Sequence, residues 1–189
     1  MSFPNHTILW RRLDLPGHDI CRLRKTTAGW QLTGTAIFLC DQMPCLLSYE
    51  VSTDVDWRTC VASVSGYAGQ SAVALAIAPT QSGHWSINGI EVQEAAGCVD
   101  LDLGFTPATN LITIRRLSLK VGERSPSHAA WLDFPSLCLK QLRQQYHRLS
   151  DGEYEYLAPD VGYAAVLEVD RYGAIIHYPD LWKQELGRD

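Results

Sequence analysis

A chain of 189 residues, 46% apolar and 20% charged, has ordinary globular composition and is long enough to bury roughly 70% of the surface its unfolded form would expose. That excludes a disordered or fibrous chain and a small scaffold held by disulfides or metal. A formal net charge of −5 gives no basic footprint for a polyanion, so nucleic-acid partners are not expected.

The opening stretch "MSFPNHTILWRRLDLPG" lacks the uninterrupted apolar core of a signal peptide, and no apolar run approaches the roughly 20 residues of a membrane helix. The expectation is a cytoplasmic protein without a transmembrane segment. Six cysteines (Cys21, Cys40, Cys45, Cys60, Cys98 and Cys138) show no C-x-x-C spacing and are read as reduced, mostly buried thiols. No metal ligand set and no cofactor are expected.

Strand patterning dominates from residue 29. In "GWQLTGTAIFL", Trp30, Leu32, Ala36 and Phe38 share one parity, while Gln31, Thr33 and Thr35 share the other, as on a half-buried strand. A turn at "CDQMPC", the run "CLLSYEV", a polar break at "STDVD" and the run "WRTCVASVSGY" follow at the spacing of consecutive antiparallel strands. "AVALAIA" then sets Val73, Leu75 and Ile77 on one face, and "HWSING" carries an Asn88-Gly89 turn signal.

In "GCVDLDLGFTPATNLITIRRL", strand parity places Val99, Leu101, Leu103 and Phe105 on one face and Asp100 and Asp102 on the other. Read as a turn, "TPATN" returns the chain as an antiparallel strand, on which Arg115 and Arg116 point to opposite faces. The apolar company of Arg115 (Leu111, Leu117 and Leu119) leaves Arg116 beside the carboxylates. The group then forms either a structural ion-pair network or a polar patch lining a cleft. Catalysis by two carboxylates on a glycosidic bond is a third reading, on an unspecific signal.

Beyond "GERSPS", a loop by composition, "HAAWLDF" reads as a strand. "LCLKQLRQQYHRL" carries Leu139, Leu142, Tyr146 and Leu149 at helical spacing, but the Asp151-Gly152 turn of "LSDGEYEYL" favours a hairpin arm. "AAVLEVDRYGAIIHY" is a second hairpin, turned at "DRYG". Ten or so strands in one domain spanning 1–189 imply a curled antiparallel sheet, whose concave face holds either its own side chains or a ligand. Most of the six tryptophans are expected in the core, with Trp57, at a strand start beside Asp54, Asp56 and Arg58, as the exception available to a sugar or headgroup. No nucleophile elbow, P-loop or dinucleotide fingerprint occurs.

The segments "LSYEVSTDVDWRT", "GCVDLDLGFTPATNLITIRRL", "AWLDFPSL", "QQYHRLSDGEYEYL" and "LEVDRYGAIIHYPDLW", in this order, resemble the bacterial family named putative glycolipid-binding, formerly a domain of unknown function. The resemblance runs from about Trp10 to Trp182. It implies a mainly β, single-domain spiral β-roll, similar in shape to the half-barrels of lipoprotein carriers that hold acyl chains on a concave sheet. It also implies a lipid or glycolipid ligand. Matched to the family pattern, the polar and aromatic candidates for ligand binding are Trp57, Arg58, Asp100, Asp102, Asn110, Arg115, Arg116, Trp131 and Tyr146. The chain departs from the pattern at Thr113, where a proline is expected, and at Cys60, where an arginine is expected.

The resulting expectation is non-enzymatic binding of an amphiphile such as a glycolipid, with apolar strand residues holding the chains. Its rivals are a hydrolase acting through Asp100 and Asp102, and an interaction module whose concave face is filled.

Overall fold

The computed structural model describes residues 5–186. The first eight strands are β1 (His6–Arg12), β2 (Gly17–Lys25), β3 (Trp30–Cys40), β4 (Met43–Thr53), β5 (Thr59–Ala68), β6 (Ser71–Pro79), β7 (Trp85–Ile87) and β8 (Ile90–Val92). Each pairs antiparallel with the next. After β9 (Asp100–Leu103) comes the helix α1 (Asn110–Leu117), then β10 (Arg124–Leu132), β11 (Leu139–Arg148), β12 (Glu153–Ala158), β13 (Tyr163–Val169), β14 (Ile175–Tyr178) and β15 (Trp182–Leu186).

The strand β15 returns to pair with β1, so the order across one fifteen-stranded sheet is β8 to β1, then β15 down to β9. A sheet of this width curls, because the right-handed twist between neighbours accumulates. The fold is therefore mainly β, a large curled open sheet. The β9–β10 pair is parallel, since the α1 crossover carries the chain back over before β10 begins.

Strand alternation builds the interior. On β4, Cys45, Leu47, Tyr49, Val51 and Thr53 are buried and the residues between them are not. Two-residue turns join the arms where the backbone is left-handed, at Asp41-Gln42 and at Asn88-Gly89, which matches the strand twist. "LCLKQLRQQYHRL" is a strand, β11, and "DRYG" turns β13 into β14.

Three expectations are corrected. Strands begin before residue 29, since β1 and β2 precede it; β2 buries Asp19, Cys21 and Leu23 and exposes Ile20, so its polarity pattern is partly inverted. "GERSPS" is not all loop, because β10 starts at Arg124 and passes through Pro126. Proline is tolerated there because β9 pairs with β10 only from Ala129 onward, leaving an edge that needs no N–H donor.

The third correction is the largest: "NLITIRRL" is the helix α1, not a strand returning beside β9. Asn110, Leu111, Ile112, Thr113 and Ile114 are all buried. The preceding loop reaches β2 and β4 through Thr106 and Phe105, and α1 itself reaches β11 through Asn110 and the β13–β14 turn through Ile114. The segment 104–117 thus lies inside the curl, against both halves of the sheet. A lone extended segment there would leave backbone N–H and C=O groups unpaired, whereas a helix satisfies most of its own. Much of the concave face is filled by this segment.

Candidate functional site

Asp100 is completely buried and tied to α1. Arg116 Nε donates to Asp100 Oδ1 at 2.6 Å and Arg116 Nη2 to Oδ2 at 2.7 Å, while Ser127 Oγ on β10 donates to Oδ2 at 2.6 Å. The hydrogen bond and charge of Asp100, set against desolvation, push the Arg116 guanidinium above its ordinary range. This is a structural clamp between helix and sheet. Asp100 does not line the cavity described below.

Asp102, two residues on, does. It is half-buried on β9 and accepts a 2.6 Å hydrogen bond from Gln144 Nε2 on β11. Burial pushes its carboxyl up to about 6, against the Gln144 hydrogen bond. A second buried carboxylate, Asp19 on β2, stands behind the same loop: Tyr49 Oη donates to it at 3.0 Å and Thr106 Oγ1 donates to it also. Burial raises Asp19 to about 6 as well. Gly34 makes this cluster possible, because a Cβ there would sit 2.3 Å from the Tyr49 ring.

A cavity of about 270 Å³ opens beside Asp102, at the N-terminal end of α1, with Thr106 and Asn110 as further polar walls. Five aromatic residues, Trp131, Tyr156, Tyr163, Tyr178 and Trp182, supply half of the rest. Tyr178 lies 5.8 Å from Tyr156 and 5.3 Å from Tyr163 between ring centroids. Burial holds the Tyr156 and Tyr178 phenols above their ordinary range and Tyr163 at about 12, so all three remain neutral hydrogen-bonding groups. Trp131 is half-buried, with Lys140 Nζ 4.8 Å from its ring centroid. Gly104 lets the indole lie close, since a Cβ would meet Trp131 Nε1 at 2.5 Å.

A second cavity, of about 310 Å³, lies at the other end of α1, bordered by Trp57, Arg115, Arg148 and Arg171. The sequence candidates therefore divide. Asp102, Asn110 and Trp131 meet at the first cavity, with Tyr146 behind them accepting from Asn110 Nδ2 at 3.0 Å. Trp57 and Arg115 meet at the second. Asp100 and Arg116 form the clamp, and Arg58 is exposed, its backbone N–H held by Asp54 Oδ1.

The expectation for Trp57 is corrected. It sits not at a strand start but in the turn before β5, with φ 67°. It is buried and stacked on Trp30 at 4.6 Å and 12°, because the Asp54 turn folds it inward. Among the tryptophans Trp131 is the half-buried one; the other five are buried.

Sequence reasoning missed Asp19, Gln144, Tyr156, Tyr163, Tyr178 and Trp182. The period-2 spacing of Asp19 with Cys21 and Leu23, and of Tyr154 with Tyr156, is the signal that marks them as inward-facing. Among the described residues no group of histidines, cysteines and carboxylates has the arrangement of a metal site, and no helix is long and apolar enough to cross a membrane.

No curated protein matches this chain. The crystal structure of a DUF1089 family protein from Pseudomonas aeruginosa is similar, with 27% identity, a TM-score of 0.77 and coverage of 97% of this chain and 94% of that one. The model of the family described as "Putative glycolipid-binding" matches residues 7–184. With nearly its whole length matched by that model and its curled sheet shared with a solved relative, the chain belongs to this family.

Proposed function

We propose that the protein is a non-enzymatic binder that takes the sugar headgroup of a glycolipid into the cavity beside Asp102 and Trp131. The observation that carries this reading is the ring of five aromatic side chains around a carboxylate and an amide. A sugar presents apolar C–H faces, which flat aromatic rings cover, and hydroxyls, which Asp102, Asn110 and the neutral phenols satisfy. The cavity is near the small end of the ligand-site range, roughly 300–1,000 Å³. It suits a headgroup without its acyl chain. Because the segment 104–117 fills the interior, the tail stays outside the mouth, past exposed Val161. The family description supports the same ligand class.

The paired-aspartate hydrolase has less support. Both oxygens of Asp100 are engaged by Arg116 and Ser127, so one carboxylate, Asp102, faces the cavity where an acid and a base are needed.

The test is calorimetric titration with methyl glycosides, alongside native mass spectrometry of protein purified from cells. Saturable sugar binding that Trp131→Ala abolishes, and a co-purified glycolipid, are expected. Absence of any glycoside binding overturns the proposal. Turnover of aryl glycosides that Asp102→Asn eliminates would assign a hydrolase instead.

A further inference from the structure

We infer that the second cavity, at the C-terminal end of α1, is an anion site that takes a phosphoryl group. Three arginines from three separate elements line it: Arg115 from α1, Arg148 from the end of β11 and Arg171 from the β13–β14 turn. Two carboxylates, Asp151 and Asp170, share the rim, so three positive charges face two negative ones in a chain whose net charge is −5.

The two carboxylates offset the three arginines only in part. The Asp151 side chain is 96% exposed, so its 3.1 Å pairing with Arg148 is screened by water. Asp170 is consumed by its own turn: its Oδ1 accepts from the backbone N–H groups of Tyr172 at 2.8 Å and Ala174 at 2.9 Å, and its Oδ2 lies 2.6 Å from His6 Nε2.

The helix terminus accounts for only part of the arrangement. A cation in the last turn complements the helix dipole, which suffices for Arg115. Arg148 has a structural task, since its Nη1 donates to Leu119 O at 2.8 Å and its Nε to Ser150 O at 3.1 Å. Arg171 belongs to neither role. It is exposed, on a turn held directly against the helix: a Cβ on Gly173 would approach Ile114 Cγ2 at 3.2 Å and Arg115 Cδ at 3.3 Å. The turn therefore packs its backbone against Arg115, and its own Arg171, whose guanidinium lies 4.9 Å from the Tyr172 ring centroid, borders the same cavity. The Arg115 guanidinium stands 5.5 Å from the Trp57 ring centroid, against a buried wall. Guanidinium groups spaced around a polar cavity match the several oxygens of a phosphoryl group better than a carboxylate's two.

The site is independent of the sugar cavity, from which it is separated by the length of α1, about 12 Å at 1.5 Å per residue. The phosphoryl group belongs either to a lipid headgroup or to a soluble phosphate compound. The test is a titration of the full chain with inorganic phosphate at low ionic strength, followed by amide NMR shifts. A flotation assay with vesicles of phosphatidylglycerol and phosphatidylcholine, against phosphatidylcholine alone, runs beside it.

Saturable shifts around Ser118, Arg171 and Gly173 are expected, weakened about tenfold in Arg171→Ala and unchanged in Trp131→Ala. Arg171 is exposed, so its variant keeps the fold, which circular dichroism verifies. Flotation with the anionic vesicles that depends on Arg171 identifies a lipid source. Phosphate binding without flotation identifies a soluble one. No saturable shift, or binding indifferent to both Arg171→Ala and Arg115→Ala, overturns the inference and leaves the sugar proposal untouched.

Discussion

Arg116 and Asp100, sixteen residues apart in the chain, meet edge to edge through two hydrogen bonds of 2.6 and 2.7 Å, and this pair fastens the internal helix to the strand at the sheet's edge. The carboxylate is fully buried and the arginine side chain 17% exposed. Removing the arginine leaves an uncompensated buried charge, so Arg116→Ala should cost about 3–5 kcal/mol in urea unfolding. A double-mutant cycle with Asp100→Asn should show strong coupling, and the same cycle with Arg115→Ala should show none.

Two carboxylates, Asp19 and Asp102, give stability a distinctive dependence on pH. Asp19 and Asp102 both have folded pKa values raised to about 6, chiefly by burial, from an ordinary 3.8. A raised value means that the folded state binds the proton more tightly. Each group's contribution is therefore complete below about pH 4 and is lost as pH rises through about 6. For Asp19 the span is at most about 3 kcal/mol. The stability difference between wild type and Asp19→Asn should drift across pH 4 to 7 in that sense and level off above it. A flat difference would mean that Asp19 does not titrate in this window. Glu91, held low by its His84 hydrogen bond, and Asp160, held low by Arg143, act in the opposite sense at lower pH.

Gly34 is a steric requirement of the Asp19 cluster. A methyl group there would overlap the Tyr49 ring, which has no room to retreat at 2% exposure. Gly34→Ala should cost at least about 1–3 kcal/mol as an overpacked core. Loss of Tyr49 near-ultraviolet dichroism would report its displacement.

The filled interior fixes how affinity depends on the tail of an amphiphile. Full burial of a chain would contribute about 0.8 kcal/mol per methylene. With the segment 104–117 occupying the curl, lengthening a methyl glycoside to an octyl glycoside should gain well under that value per methylene in calorimetry. A full gain would show that α1 moves aside to admit the chain.

Ile112, completely buried on α1, tests the helix as a core element. Ile112→Ala should lower stability by about 2–5 kcal/mol, measured by urea unfolding, as for a buried aliphatic truncation. A change near zero would mean that the helix is a loosely held plug.

Much of the strand framework is legible in the chain. Period-2 runs such as "GWQLTGTAIFL" and turn signals such as Asn88-Gly89, Asp151-Gly152 and "DRYG" locate arms and reversals, because alternation and left-handed turn positions are local properties of a strand pair. The pairing of Arg116 with Asp100 is also readable, but the parity argument that selects it assumes a strand. On the actual helix, Arg116 reaches Asp100 from the last turn of α1.

The sequence by itself determined where the chain can extend and where it can turn, since those depend on side-chain alternation within a few residues. Only the tertiary structure decided that "NLITIRRL" coils. Its β-branched residues favour a strand, but inside the curl an extended segment would leave its backbone groups unpaired, and a helix satisfies most of its own. Only the tertiary structure decided, too, that Asp19 faces inward while Ile20 faces out. Tyr49 and Thr106, contributed from 30 and 87 residues away, supply the hydrogen bonds that make a buried carboxylate tolerable, and nothing within the strand itself records their presence.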